Sequence, residues 1–260
     1  MDLLKRLSGK RSVKNGMWLY SLQFFNTVLP LVTLPYITRI LGASQYGIFS
    51  IVLNFVSYLQ VVVEYGFVLS ATRKVALTDP NEDLSGLFTK VICSRMLLFG
   101  ICFLITIGNV LIFDRPMTTN LCFLVLSVSL IGYVLQENWL FQGKQEMKFI
   151  SISTIIARTV TTILIFIVIK SPNDILLYCI LYSLSPVIAN SIGTVIAMKR
   201  YKLKFVRIRS FDLIESLKSG MYVFFTQLSS KVFGAIGVTF LSMFASSEDV
   251  GIYSAIYRIP

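Results

Sequence analysis

Two cations lie where a bilayer makes them costly. Arg158 is near the middle of FISISTIIARTVTTILIFIVI (149–169), and Lys231 is about ten residues from either end of a second apolar run, 220–244. An ionisable side chain at that depth costs roughly 2.5 to 3.5 kcal/mol on insertion scales, and such groups face a partner or a polar cavity. The planar guanidinium and the compact ammonium both suit phosphate or pyrophosphate oxygens. Glu64 is the only carboxylate well inside a span and the natural internal partner for Arg158, as a structural pair or a proton-coupled latch. With Glu137 counted as interfacial, span cations outnumber span carboxylates, which favours an anionic passenger. Arg95, one turn inside the cytoplasmic end of its span, is expected to snorkel as readily as to act.

The cations belong to polar stripes. At 100° per residue Gln23, Asn26, Thr27, Pro30 and Thr33 share one helix face, and Asn54, Ser57, Gln60 and Glu64 another. The pattern returns at Ser151, Thr154, Arg158, Thr161 and Thr162, then at Ser183, Pro186, Asn190 and Thr194, and again at Gln227, Ser230, Lys231 and Gly234. Five such faces predict a shared polar interior lined by Gln23, Asn26, Asn54, Glu64, Arg95, Arg158, Asn190, Gln227 and Lys231. For the Ser and Thr positions alone, helix-to-helix packing is the competing explanation.

The elements that must position these residues are membrane spans. Hydrophobic residues make up 55% of the chain, charged residues 14%, and mean hydropathy is +0.74, whereas a soluble domain is near a quarter charged. Apolar segments fall near 16–38, 47–71, 91–113, 120–141, 149–169, 175–198 and 220–244, with an eighth opening at about 250. The first is too long for a signal peptide and has no small-residue cleavage site after it. The predicted class is an all-α integral membrane protein. With the N-terminus inside, the inner segments carry 17 Lys and Arg and the outer loops 3, which predicts a cytoplasmic N-terminus. The net charge of +11 then flanks one membrane face. Anionic headgroups are its expected partner, and nucleic acid is not.

One register repeats. At an offset of 204, Lys14, Gly16 and Met17 fall on Lys218, Gly220 and Met221; Gln23 and Val28 fall on Gln227 and Val232; and Gly47, Ile48 and Ser50 fall on Gly251, Ile252 and Ser254. Six helices separate the two starts, so both copies run the same way, as in parallel-repeat transporters. The predicted organisation is a basic cytoplasmic N-terminus (1–15), a six-helix transmembrane lobe (16–198), a basic interfacial linker (199–219) and the first one to two helices of a parallel second lobe (220–260). A fragment or truncated product, with its cavity never closed, is the corresponding expectation. The linker KRYKLKFVRIRSFDLIESLK (199–218) interleaves seven basic residues with apolar ones and should lie in the cytoplasmic headgroup layer.

There is no GxxxxGK[ST], HExxH or GxSxG, so an ATPase or hydrolase has no visible apparatus. Cys93, Cys102, Cys122 and Cys179 fall in apolar runs without CxxC spacing, and the chain has no histidine, so neither a disulfide framework nor a zinc site is predicted. No cofactor is expected. A proton or sodium gradient, or consumption of the product, is the expected energy source.

Three stretches carry a resemblance: LPLVTLPYITRILGASQYGIFSI (29–51), ENWLFQGKQEMKFISI (137–152) and VGIYSAIYRI (250–259). They are similar to polysaccharide repeat-unit flippases, the Wzx-type O-antigen and capsule translocases of the multidrug/oligosaccharidyl-lipid/polysaccharide superfamily. The resemblance implies a two-lobed bundle working by alternating access, with a cationic internal cavity. It implies an undecaprenyl-pyrophosphate-linked oligosaccharide as passenger, a bacterial inner membrane as location, and polysaccharide polymerase and chain-length machinery as partners. A multidrug or cation antiporter would place carboxylates in the cavity. An inactive membrane remnant or scaffold is a third reading, and a glycan polymerase would need a large outer loop.

Overall fold

The structure is a computed structural model that describes residues 2–79 and 83–257, with side chains described from Val13 onward, Ser210 excepted. Arg258 and the end of the VGIYSAIYRI segment lie outside the described residues, as do the side chains of Lys5, Arg6, Lys10 and Arg11.

The described elements are helical: α1 (Asp2–Glu64), α2 (Phe67–Leu77), α3 (Ser85–Ile112), α4 (Met117–Ser127), α5 (Ser129–Val134), α6 (Asn138–Gly143), α7 (Met147–Val168), a 3₁₀ turn (Pro172–Asp174), α8 (Ile175–Tyr201), α9 (Ser210–Phe244) and α10 (Ser247–Tyr257). Six stretches are long and apolar enough to cross a membrane. The protein is an all-α, multi-pass membrane protein.

The first stretch crosses twice. A straight helix of 63 residues would be roughly 95 Å long, three times the thickness of a hydrocarbon core. Gly42, at φ 77° and ψ 165°, breaks it, in a backbone conformation that glycine adopts without a Cβ penalty. Both arms return to the same end. Asn15 Nδ2 donates to Gln145 O at 2.8 Å. Beyond the second arm, Thr72 Oγ1 in α2 donates to Trp139 O at 3.1 Å. The spans predicted at 16–38 and 47–71 are therefore joined by a one-residue bend rather than a loop. The second arm stops at Glu64 because Tyr65 and Gly66 take positive φ, and α2 leaves in a new direction.

The span expected at 120–141 is three short helices. Ser129 Oγ donates to Leu126 O at 2.6 Å across the first break. A Cβ on Gly132 would stand 2.6 Å from the Pro186 carbonyl carbon, so only glycine lets α5 lie against α8. The linker is extended first and then helical. Residues 203–209 are extended along α3, with Lys204 N bonded to Ser85 Oγ and Val206 N to Thr89 Oγ1, each at 3.1 Å, and Phe205 against Phe88 at 5.3 Å. Helix α9 starts at Ser210 rather than 220, and Lys90 pairs with Asp212 at 3.1 Å.

Helix α9 runs antiparallel to the second arm of α1. Val223 lies against Gly66, and Asn54 Nδ2 reaches Thr239 Oγ1 at 2.8 Å. Where α10 turns back, a Cβ on Gly47 would collide with the Ser247 carbonyl and one on Gly251 with the Ala43 carbonyl. Shifted by 204, Ala43 is Ser247 and Gly47 is Gly251, so the contact is reciprocal in the repeat register. Small residues four apart on parallel helices are what permits such an approach.

Candidate functional site

A partly open cavity of ≈ 730 Å³ lies between both arms of α1, α5, α7, α8, α9 and α10. Amphipathic phasing supplies its wall: Asn26, Pro30 and Thr33 from the first arm of α1, Ser50, Asn54, Ser57 and Gln60 from the second, and Thr154, Arg158, Thr161 and Thr162 from α7. Helix α8 adds Tyr178, Tyr182, Ser185 and Asn190, α9 adds Lys231, and α10 adds Ser254 and Tyr257. Tyr133, Gln136 and Asn138 come from the broken α5–α6 segment, whose contribution the sequence did not predict.

Of the predicted site residues, Arg158, Lys231, Asn26, Asn54 and Asn190 share this wall. Gln23 does not. It is exposed, one position around the helix from the wall residue Leu22. Gln227 is not among the wall residues either; it lies one turn from Lys231 on α9, its buried Oε1 unpartnered among the described residues.

Glu64 is also off the wall, and the expected Glu64–Arg158 pair does not form. Glu64 lies one turn below the wall residue Gln60, whose Nε2 donates to Glu64 Oε1 at 2.9 Å. The charges that act on Glu64 are those of Arg95 and Lys231. Among the described residues no carboxylate is within ion-pairing distance of Arg158, and no wall residue is Asp or Glu.

Arg95 does not snorkel. It is 0% exposed and Glu137, expected at the interface, is 2% exposed. The reason is α2 and α6, which pack on each other through Gly143 against Val75 and put protein where the sequence led one to expect headgroups. Arg95 Nη1 donates to Gln136 O at 2.5 Å, its guanidinium is 5.7 Å from the Phe67 ring centre, and the charges of Glu137 and Glu64 act on it. Its Nε and Nη2 have no hydrogen-bond partner among the described residues, and the Trp139 side chain acts on the Glu137 carboxyl.

Beside this cluster the sequence missed a second ion pair. Arg200, at the end of α8, forks onto Glu146 through Nε to Oε2 at 2.6 Å and Nη2 to Oε1, and Tyr201 Oη donates to the same carboxylate at 2.6 Å. Partial burial works to raise the Glu146 carboxyl, but the hydrogen bonds from Arg200 and Tyr201 and the charges of Arg200 and Lys148 outweigh it, leaving it below the usual carboxylate range. The WLFQG segment (139–143) is a packing element: Trp139 and Leu140 are 0% exposed, and none of its residues is on the wall.

Comparison with known proteins fits this geometry. The chain is 29% identical over 243 residues to a protein of Shigella dysenteriae named "Putative O-antigen transporter". It is 28% identical over the same length to one of that name from Escherichia coli strain K12. The matches cover 93% of this chain but 61% and 59% of those relatives, so it spans about three fifths of their length. No solved structure matches it significantly. The family model for polysaccharide biosynthesis proteins matches residues 12–260, nearly the whole chain, and the protein belongs to that family.

Proposed function

We propose that the protein translocates a lipid-linked oligosaccharide, an undecaprenyl-pyrophosphate-linked repeat unit, across the bacterial inner membrane for O-antigen, capsule or exopolysaccharide synthesis. In this reading the N-terminus is cytoplasmic, and α1–α8 form one lobe with α9 and α10 opening its parallel counterpart. The passenger moves by alternating access between the lobes, coupled to a proton or sodium gradient. The basic segment 199–209 meets anionic headgroups, with Phe205 61% and Phe211 73% exposed beside it, and polymerase and chain-length machinery take the product.

The observation that carries the reading is the charge of the cavity wall: Arg158 and Lys231 are on it and no carboxylate is, among the described residues. Fixed cations in a low-dielectric polar cavity attract a pyrophosphate, and a cation antiporter would need the opposite sign. The names of the Shigella dysenteriae and Escherichia coli relatives point the same way.

The test is complementation of a strain lacking its O-antigen transporter, by this chain and by a chimera continuing it with the C-terminal part of the Shigella dysenteriae relative. Surface O-antigen is the readout. Arg158→Ala in the complementing form is expected to lower it at least tenfold. Full activity of that variant removes Arg158 from the site, and failure of both forms with every glycan tested removes the translocase reading.

A further inference from the structure

The outer end of the cavity carries a pair of hydroxyls that the cationic wall does not explain. One turn below the glycine contact, GIFS (47–50) and GIYS (251–254) place Ser50 and Ser254 on the wall, equivalent in the register of 204. Four other wall hydroxyls are already committed. Thr33, Ser57, Ser129 and Thr161 each donate to a carbonyl three or four residues back in their own segment. Ser50 and Ser254 do not. They are 4% and 5% exposed, and neither Oγ has a hydrogen-bond partner among the described residues. A buried hydroxyl left unpaired is unfavourable, and two of them facing one cavity are suited to a ligand that supplies donors and acceptors.

The surroundings narrow the ligand. The charged wall residues are Arg158 and Lys231; Lys231 falls between the Val223–Gly66 and Thr239–Asn54 contacts, level with Gln60, and Arg158 is at mid-span, between the Ser151–Trp18 and Ile169–Tyr36 contacts. Ser50 is ten residues outward of Gln60 on the same helical arm, roughly 15 Å along its axis. At that outer level the wall is neutral and aromatic: Phe49 holds Tyr178 at 4.6 Å and Tyr182 at 5.2 Å between ring centres, and both tyrosines line the cavity. Ring faces beside neutral hydroxyls match the apolar faces and hydroxyl edges of a saccharide, not a charged group.

We propose that Ser50 and Ser254 form the glycan-end subsite of the cavity, hydrogen-bonding ring hydroxyls of the sugar portion while the pyrophosphate stays at the level of Arg158 and Lys231. The subsite rests on the translocase reading. The experiment measures binding to the purified 260-residue chain in nanodiscs of two probes, undecaprenyl pyrophosphate and undecaprenyl pyrophosphate carrying chitotriose. Ser50→Ala and Ser254→Ala are each expected to weaken the glycosylated probe about fivefold, the value of one neutral hydrogen bond, and to leave the bare probe unchanged. Unchanged affinity for both probes, or an equal loss for both, overturns the subsite while leaving the translocase reading in place. A wild-type chain that binds neither probe overturns that reading and the subsite with it.

Discussion

Two groups of ionisable residues lie along the axis of this molecule, and they are built on opposite rules. Arg158 and Lys231 stand on a cavity wall that has no carboxylate among the described residues. Below them Arg95 is sealed from solvent, with the charges of Glu137 and Glu64 acting on it. Burial among opposite charges makes an ion part of the fold, because removing it leaves the others uncompensated. Arg158, half-buried on a wall with no Asp or Glu among the described residues, directs its field into the cavity and toward a ligand. Sequence depth alone ranked these residues the other way: Arg95, nearest the interface, looked most able to escape it, and the fold made it the most enclosed.

The widest break in that comparison should come at Arg95. Arg95→Ala leaves a void at a fully buried position and removes the hydrogen bond to Gln136 O and the contact with the Phe67 ring, and is expected to cost about 2 to 5 kcal/mol of stability, seen as a large fall in the thermal midpoint in detergent. Arg95→Met combined with Glu137→Gln should recover much of the loss. If Arg95→Ala unfolds like wild type, the cluster is not structural.

Next in size is the glycine contact. Gly47→Val has to displace the Ser247 carbonyl, which is backbone and cannot rotate away, so a loss of about 1 to 3 kcal/mol is expected. Gly251→Val should match it because its contact with Ala43 is the same one shifted by 204. Gly100→Val has nothing within reach and serves as the control for a valine in a helix. Unequal losses at Gly47 and Gly251 would show that the register describes the sequence but not the packing.

Arg158→Ala sharpens the comparison from the other side. Arg158 is half-buried on a polar wall, so stability should move by less than about 0.5 kcal/mol. Affinity for undecaprenyl pyrophosphate should fall at least tenfold, as expected for a charge-assisted hydrogen bond of about 1.5 to 3 kcal/mol. A variant that melts early with binding intact would put Arg158 with Arg95, among the structural ions.

What the sequence made legible follows from how local each signal is. The stripe 151, 154, 158, 161 and 162 is one helix reporting its own inward face: the last four residues reach the wall, and Ser151 donates to Trp18 O instead. The repeat was legible because Gly47 and Gly251 answer to the same close approach. Gln23 misled because its helix face is set by neighbours one position away, and a stripe has no sharp edge. The burial of Arg95 could not be read at all. It depends on α2 and α6, two short segments that cover the bundle end, and periodicity says nothing about which segment covers which. The Gly42 bend was hidden for a similar reason: a single residue in an unusual conformation leaves no loop-like run of polar residues.

The smallest expected effect concerns the pair that neither comparison nor pattern anticipated. Glu146 ties the start of α7 to the end of α8 through Arg200 and Tyr201, and the carboxylate is partly solvated, so Glu146→Gln should cost only about 1 kcal/mol at pH 7. Its sign with pH is determinate. The folded carboxyl titrates below its usual range, so its stabilisation is complete above the unfolded value, roughly 4.3, and is lost as pH falls through the folded one. Wild type and Glu146→Gln should therefore differ in thermal midpoint at pH 7 and converge in acid, once the pH is below the folded value. If instead the gap widens in acid, the proton binds more tightly in the folded state, and the Arg200 fork is not what holds these two helices together.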